Sequence, residues 1–228
     1  MLEGSRRYRT IDLLRDMLSF ESNVFEHCIR VKNYSLLVAK GLGFSEDELT
    51  DLQQAAVLHD YGKIYIPKPV LYKTAPLTTE ERQIMKLHVS LGYEALKGIV
   101  EVPENVLLYI REHHERLDGS GYPDGVTSVS VFGQIIAMSD VYDAVTHKRC
   151  YKSAYSKEYA LSLIGENKNA FEKELISCFQ EVLSKTDDDD VISCYDDLLC
   201  YEFRNGLCGS DERCDKGCVK DSSKGRSK

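Results

Sequence analysis

The chain has 228 residues, of which 43% are apolar, and a formal net charge of −8. That length allows one globular domain with a sizeable appendage or two small domains, and the apolar content excludes wholesale disorder. The acidic balance argues against a dedicated duplex-DNA binder, and no uncharged run is long and apolar enough to span a bilayer.

The N-terminal stretch MLEGSRRYRTID carries no apolar signal-type run, so a cytoplasmic protein away from the membrane is expected. From Val24 to Leu42, apolar residues recur at near-helical spacing and stop at Gly41 and Gly43, which predicts a helix. Ser45 with Glu48 three residues on is a capping-box pattern. The helix it opens is expected to run to about Gly62. Pro67, Pro69 and Pro76 mark a loop. Thr78 or Thr79 with Glu81 opens a helix through His88 to about Leu96, and Pro103 opens another ending near His114. LDGSGYPDGV, Leu117–Val126, is dense in turn formers and reads as a loop. Further helices fit Phe132–Thr146, Ser156–Glu166 and Phe171–Leu183. No sustained alternation points to a sheet, so the body is expected to be all-α over about residues 8–185.

The run Asp187–Asp190 favours a solvated linker, because adjacent like charges repel. Beyond it, five of the eight cysteines fall at Cys194, Cys200, Cys208, Cys214 and Cys218. No C-x2-C pair occurs among them, so a standard zinc ribbon is not indicated. A small metal or redox module, a flexible extension with free thiols, and a disulfide-bonded piece all stay open.

The six histidines lie between His27 and His147. His59 and Asp60 are adjacent, with Lys63 close by. An imidazole and a carboxylate suit a borderline cation such as Zn, Fe or Mn. A bridging carboxylate can hold two cations about 3.5–4 Å apart, which polarise a phosphate and activate a water. His113, His114 and Glu115 stand just before the glycine-rich loop, while His27, His88 and Asp140 each sit in a predicted helix. A lone helical histidine is most often an ordinary core or surface residue, but the joint pattern points to a binuclear metal site.

HDYGK (His59–Lys63), HHERLDGSGYP (His113–Pro123) and SDVYDA (Ser139–Ala144) together resemble the HD-GYP family, a branch of the HD metal-dependent phosphohydrolases. HCIR at His27, IPKPVLYK at Ile66, the spaced His88 and KRCYK at Lys148 continue the likeness over about residues 24–180. The resemblance implies an HD-superfamily helical bundle. Its units would be a lead-in over 1–22, a catalytic domain over 23–185, and an acidic linker with a Cys-rich tail over 186–228. It implies a cytoplasmic bacterial phosphodiesterase that cuts cyclic di-GMP to linear pGpG or GMP. Carried over by position, the metal ligands fall on His27, His59, Asp60, His88, His113, His114 and Asp140, with Asp60 as the bridge. Lys63 matches the lysine near the scissile phosphate, Arg149 and Lys152 the phosphate-holding pair, and Tyr122 the loop tyrosine at the substrate face. The expected reaction is in-line attack by a hydroxide held between two metals, with Asp60 and Lys63 as the catalytic side chains.

Three departures refine this. Asn23 stands where some members carry a Glu that helps hold a third metal, so two metals and pGpG are expected. Cys150 replaces a proline beside Arg149, which should loosen that segment. His147 replaces a serine and reads as a surface residue. A catalytically weak dinucleotide receptor and a hydrolase of 3′,3′-cGAMP are the competing readings. A diguanylate cyclase (GGDEF) docking on the GYP loop, and a homodimer, are the partners considered; a nucleic-acid polymer is not expected.

Overall fold

The structure, a computed structural model, describes residues 10–99, 101–147, 154–188 and 191. Arg149, Cys150, Lys152 and the five C-terminal cysteines lie outside the described residues. Among the described residues there are nine α-helices, one 3₁₀ turn and no strand, which is the all-α architecture the sequence predicts.

α1 (Thr10–Phe20) leads into α2 (Ser22–Gly41), which opens where Glu21 accepts from the Asn23 backbone N–H. Leu42 donates back to the last-turn carbonyls, and Gly43 follows at φ +80°, a conformation that suits glycine. Ser45 and Glu48 form a complete capping box for α3 (Glu46–Leu58), and Thr78 and Glu81 form another for α5 (Thr79–Leu96). Between them lie the 3₁₀ turn Tyr61–Tyr65 and α4 (Lys68–Leu71), whose first turn contains Pro69. α6 (Glu104–Glu112) precedes the glycine-rich loop. α7 (Val131–Thr146), α8 (Lys157–Glu166) and α9 (Lys173–Ser184) complete the body.

α2 is the central helix and packs against α1, α3, α7 and α9. Cys28, Val31, Tyr34 and Val38 of α2 are buried with Leu52, Ala55 and Ala56 of α3 and Ile135, Ile136 and Met138 of α7. Leu13, Leu14 and Met17 of α1 and Phe179 and Leu183 of α9 complete the same core. Each large apolar side chain so buried contributes about 1.5–3 kcal/mol.

Four details differ from the sequence reading. α3 stops at Leu58 rather than near Gly62, because the chain tightens into the 3₁₀ turn, where Lys63 N–H donates to the Asp60 carbonyl at 2.9 Å. The proline stretch holds one helical turn. α9 starts at Lys173, and the Glu172 backbone N–H, an orphan donor at the helix start, is satisfied by Gln134 Oε1 of α7 at 2.9 Å. The acidic run begins docked on the body: the buried Tyr142 hydroxyl donates to both Asp188 carboxylate oxygens at 3.0 Å, and Lys157 lies 3.6 Å from the same group. Val191 is buried, and its carbonyl accepts from Asn33 at 2.9 Å. A buried hydroxyl needs a partner, and that need outweighs repulsion between neighbouring aspartates.

Candidate metal centre

Four imidazoles are aimed by a hydrogen bond at Nδ1. His59, His88 and His113 each pair Nδ1 with the carbonyl three residues earlier in their own segment, those of Ala56, Met85 and Ile110, at 2.7, 2.7 and 2.6 Å. His27 pairs Nδ1 with Asp143 Oδ2 at 2.6 Å. In the neutral ring an acceptor at Nδ1 fixes the proton there and leaves the Nε2 lone pair to ligate. The Nε2 atoms turn inward: those of His88 and His113 are 3.4 Å apart, and those of His27 and His59 are buried without a hydrogen bond.

Two trios result, His27–His59–Asp60 and His88–His113–His114, and within each the ligating atoms lie within 4.8 Å of one another. Asp60 belongs to both in geometry. Its Oδ2 is 3.5 Å from His27 Nε2 and 3.4 Å from His59 Nε2, while Oδ1 is 3.3 Å from His88 Nε2. Asp60 Oδ1 has no hydrogen bond despite its burial. Asp140 adds an oxygen 3.1 Å from His27 Nε2. Orphaned nitrogens and oxygens converging in a buried place are costly in an empty protein. They suit divalent cations that accept mixed imidazole and carboxylate donors.

The electrostatics agree with this fit. Burial is the largest influence on His88, His113 and His114 and holds all three below the ordinary imidazole value, the last two well below. They are therefore neutral at pH 7. Burial also pushes His59 down, but the Asp60 carboxylate beside it raises it further, well above the ordinary value. Burial would raise Asp60, yet Lys63, His59 and His88 hold it well below the usual carboxylate range. Lys63 is hydrogen-bonded to Asp60 and its side chain keeps 19% exposure, so its ammonium faces the opening of the site.

This asymmetry has a measurable consequence. In the metal-free protein His59 holds a proton at neutral pH, and a cation binding there must displace it; the His88 trio has none to release. Titration with Mn2+ is expected to show one site whose affinity rises with pH, by up to about tenfold per unit below the His59 value. The other site is expected to be nearly independent of pH above about 6.5. Calorimetry in buffers of different ionisation enthalpy counts the protons; equal release at both sites would contradict the assignment.

The glycine-rich loop closes one side. Gly121 lies against the backbone of the preceding turn, where an added Cβ would come within 2.4 Å of Glu115 Cα. Buried Glu115 accepts from the backbone N–H groups of Asp124, Gly125 and Val126 at 2.6, 3.1 and 3.2 Å. The Tyr122 ring stacks on His114 with centroids 4.5 Å apart, and Lys86 lies 4.7 Å from the Tyr122 centroid. Tyr122 thus forms a wall of the site and Lys86 adds a cation beside it.

The structure brings together all seven residues expected to bind metal, along with Lys63 and Tyr122. Arg149 and Lys152 lie outside the described residues. Asn23 is exposed and donates to Glu21 Oε1 at 2.7 Å. His147 is not among the ligating atoms; its Nδ1 lies 3.1 Å from Asp143 Oδ1. Sequence reasoning gave no role to Asp143, Arg30 or Lys86, and named Glu115 in its motif without its backbone partners. The available signal was spacing, since Asp143 and Arg30 each sit one helical turn beyond a predicted ligand.

The HD domain family matches residues 12–175. The cyclic di-GMP phosphodiesterase response regulator RpfG of Xanthomonas campestris pv. campestris is 42% identical over 139 residues, covering 59% of this chain and 36% of that protein. The 3′3′-cGAMP-specific phosphodiesterase 2 of Vibrio cholerae is 33% identical over 162 residues, covering 68% of this chain and 30% of that protein. The chain thus spans about a third of the length of these curated relatives. A solved structure of an HDG"Y"P protein from Bdellovibrio bacteriovorus shares the fold at a TM-score of 0.60 and 18% identity, over 75% of this chain and 56% of that one.

Proposed function

The chain belongs to the HD domain family, and from that premise we propose that it is a metal-dependent phosphodiesterase hydrolysing cyclic di-GMP to linear pGpG. One observation carries the reading: Asp60 presents one carboxylate oxygen to His27 and His59 and the other to His88. That is the arrangement a carboxylate shared by two cations requires. His27, His59, Asp60 and Asp140 would hold one cation, and Asp60, His88, His113 and His114 the other, with Fe, Mn or Zn suited to the donors. Two such cations would polarise the phosphodiester and lower the pKa of an attacking water.

The chain's own groups do the rest. Asp60 holds Lys63 at the opening, where its ammonium can offset charge that grows on the phosphate oxygens. The Tyr122 face, fixed by His114 and by the Glu115-anchored loop, limits the angle of approach and narrows access for water. The neutral imidazoles of His88, His113 and His114 keep net positive charge for the cations and Lys63, so an acidic protein can still draw a dianionic dinucleotide into one cleft.

The relative named for 3′3′-cGAMP makes that dinucleotide the second substrate to test. Anaerobically purified full-length protein is assayed with both, with metal content and products resolved together. Two cations per chain with pGpG accumulating from cyclic di-GMP is the expected result. Faster turnover of 3′3′-cGAMP would reassign the substrate, and tight dinucleotide binding without turnover would replace the enzyme by a receptor.

A further inference from the structure

We infer that Asp143 is a positioning residue that sets the strength of one of the two cation sites by aiming His27, while the other site is independent of it. Three of the aimed imidazoles lean on carbonyls of their own segments, but His27 on α2 leans on a carboxylate 116 residues away on α7. That carboxylate is 1% exposed. It is itself held from two further directions. Arg30 grips it with Nε at 2.6 Å from Oδ1 and Nη2 at 3.2 Å from Oδ2, and His147 Nδ1 is 3.1 Å from Oδ1. Thr146 Oγ1 in turn lies 3.2 Å from His147 Nδ1.

An anionic acceptor makes the imidazole opposite it a better donor than a neutral carbonyl does, and it restricts ring rotation. His27 is therefore held by a charged acceptor from another helix that His59, His88 and His113 lack. The effect is local. His27 belongs to the trio with His59 and Asp60, and no partner of Asp143 belongs to the trio of His88, His113 and His114. The pairing also couples ligand aim to how α2 sits on α7, which a backbone-aimed histidine does not need.

The inference rests on His27 being a cation ligand, and the test separates the two. Metal-depleted full-length protein is titrated with Mn2+, a hard cation that tail thiols bind poorly, and followed by electron paramagnetic resonance. Wild type is expected to bind two ions and give the signal of a coupled pair. Asp143→Asn is expected to weaken one site by roughly 10–100-fold, leave the other within about twofold, and give an isolated-ion signal at intermediate Mn2+. Arg30→Gln, which keeps the His27–Asp143 contact, is expected to lower the melting temperature while moving both affinities only a few-fold. Wild type that takes up no Mn2+ would sink the ligand reading itself. Two unaltered sites in Asp143→Asn, or equal weakening of both, would overturn the role of Asp143 alone. Should Asp143→Asn fail to fold, nitrogen-detected spectra of Zn2+-loaded wild type decide: His27 must carry its proton at Nδ1, and a proton at Nε2 overturns the inference.

Discussion

Asp60→Asn is expected to strip both cations from the protein and reduce dinucleotide hydrolysis by about 1,000-fold or more, equivalent to about 4 kcal/mol of transition-state stabilisation. The substitution preserves volume, so no cavity opens. It removes the one group whose two oxygens face histidines of both trios, at 3.3 to 3.5 Å. An amide offers one neutral oxygen and a nitrogen with protons, so it cannot serve two cations at once. The loss should therefore be joint, unlike the one-sided loss expected for Asp143→Asn. The fold should survive, because Asn fills the same space and the Lys63 side chain that Asp60 faces is partly exposed, so no fully buried charge is left uncompensated. Lys63 loses its contact with the Asp60 carboxylate but retains access to water. Metal content by mass spectrometry, with kcat and circular dichroism on the same sample, checks the result. Retention of two cations with undiminished turnover would show that Asp60 is not shared.

What the sequence made legible was local. The capping boxes at Ser45–Glu48 and Thr78–Glu81 span one turn each, so the chain announces them without knowing its fold. The adjacent pairs His59–Asp60 and His113–His114 are likewise visible because ligand-bearing residues stand side by side. Long-range dependence was not legible. His27 could be nominated, but nothing near it in the chain says that Asp143 aims it. Glu115 is conspicuous as a charge and silent as to its three backbone partners. The end of α3 was misread for the same reason: the 3₁₀ turn that follows Leu58 packs against α5, a contact that the local spacing does not announce. The acidic run looked solvated because its repulsion is local, whereas the Tyr142 hydroxyl that holds Asp188 arrives from 46 positions away.

Gly62→Ala should be among the most damaging single-methyl changes the body can suffer, with a stability loss of about 4 kcal/mol or more. A Cβ at this position would sit 1.9 Å from the His88 carbonyl oxygen, 2.5 Å from Gly92 N and 2.8 Å from the His88 carbonyl carbon. All three are backbone atoms inside a helix and cannot rotate away as a flexible side chain would. Relief requires moving the 3₁₀ turn away from α5, and that movement carries Asp60 away from His88, which now stand 3.3 Å apart. Protein that still folds should therefore bind the second cation weakly and turn over slowly. Two companion variants separate the causes. Gly92→Ala faces the same contact from the other side, but its nearest atom is at 3.0 Å, so a smaller loss of about 1–3 kcal/mol is expected. Gly43→Ala meets nothing within 4 Å and suffers only from φ +80°, which costs about 1–2 kcal/mol, and it is expected to leave metal binding intact because an added Cβ there displaces no neighbour. Urea unfolding of the three variants, with Mn2+ affinity measured in parallel, tests the ordering. Gly62→Ala unfolding at the wild-type midpoint with normal Mn2+ uptake would mean that the close approach of the 3₁₀ turn to α5 does not set the spacing between Asp60 and His88.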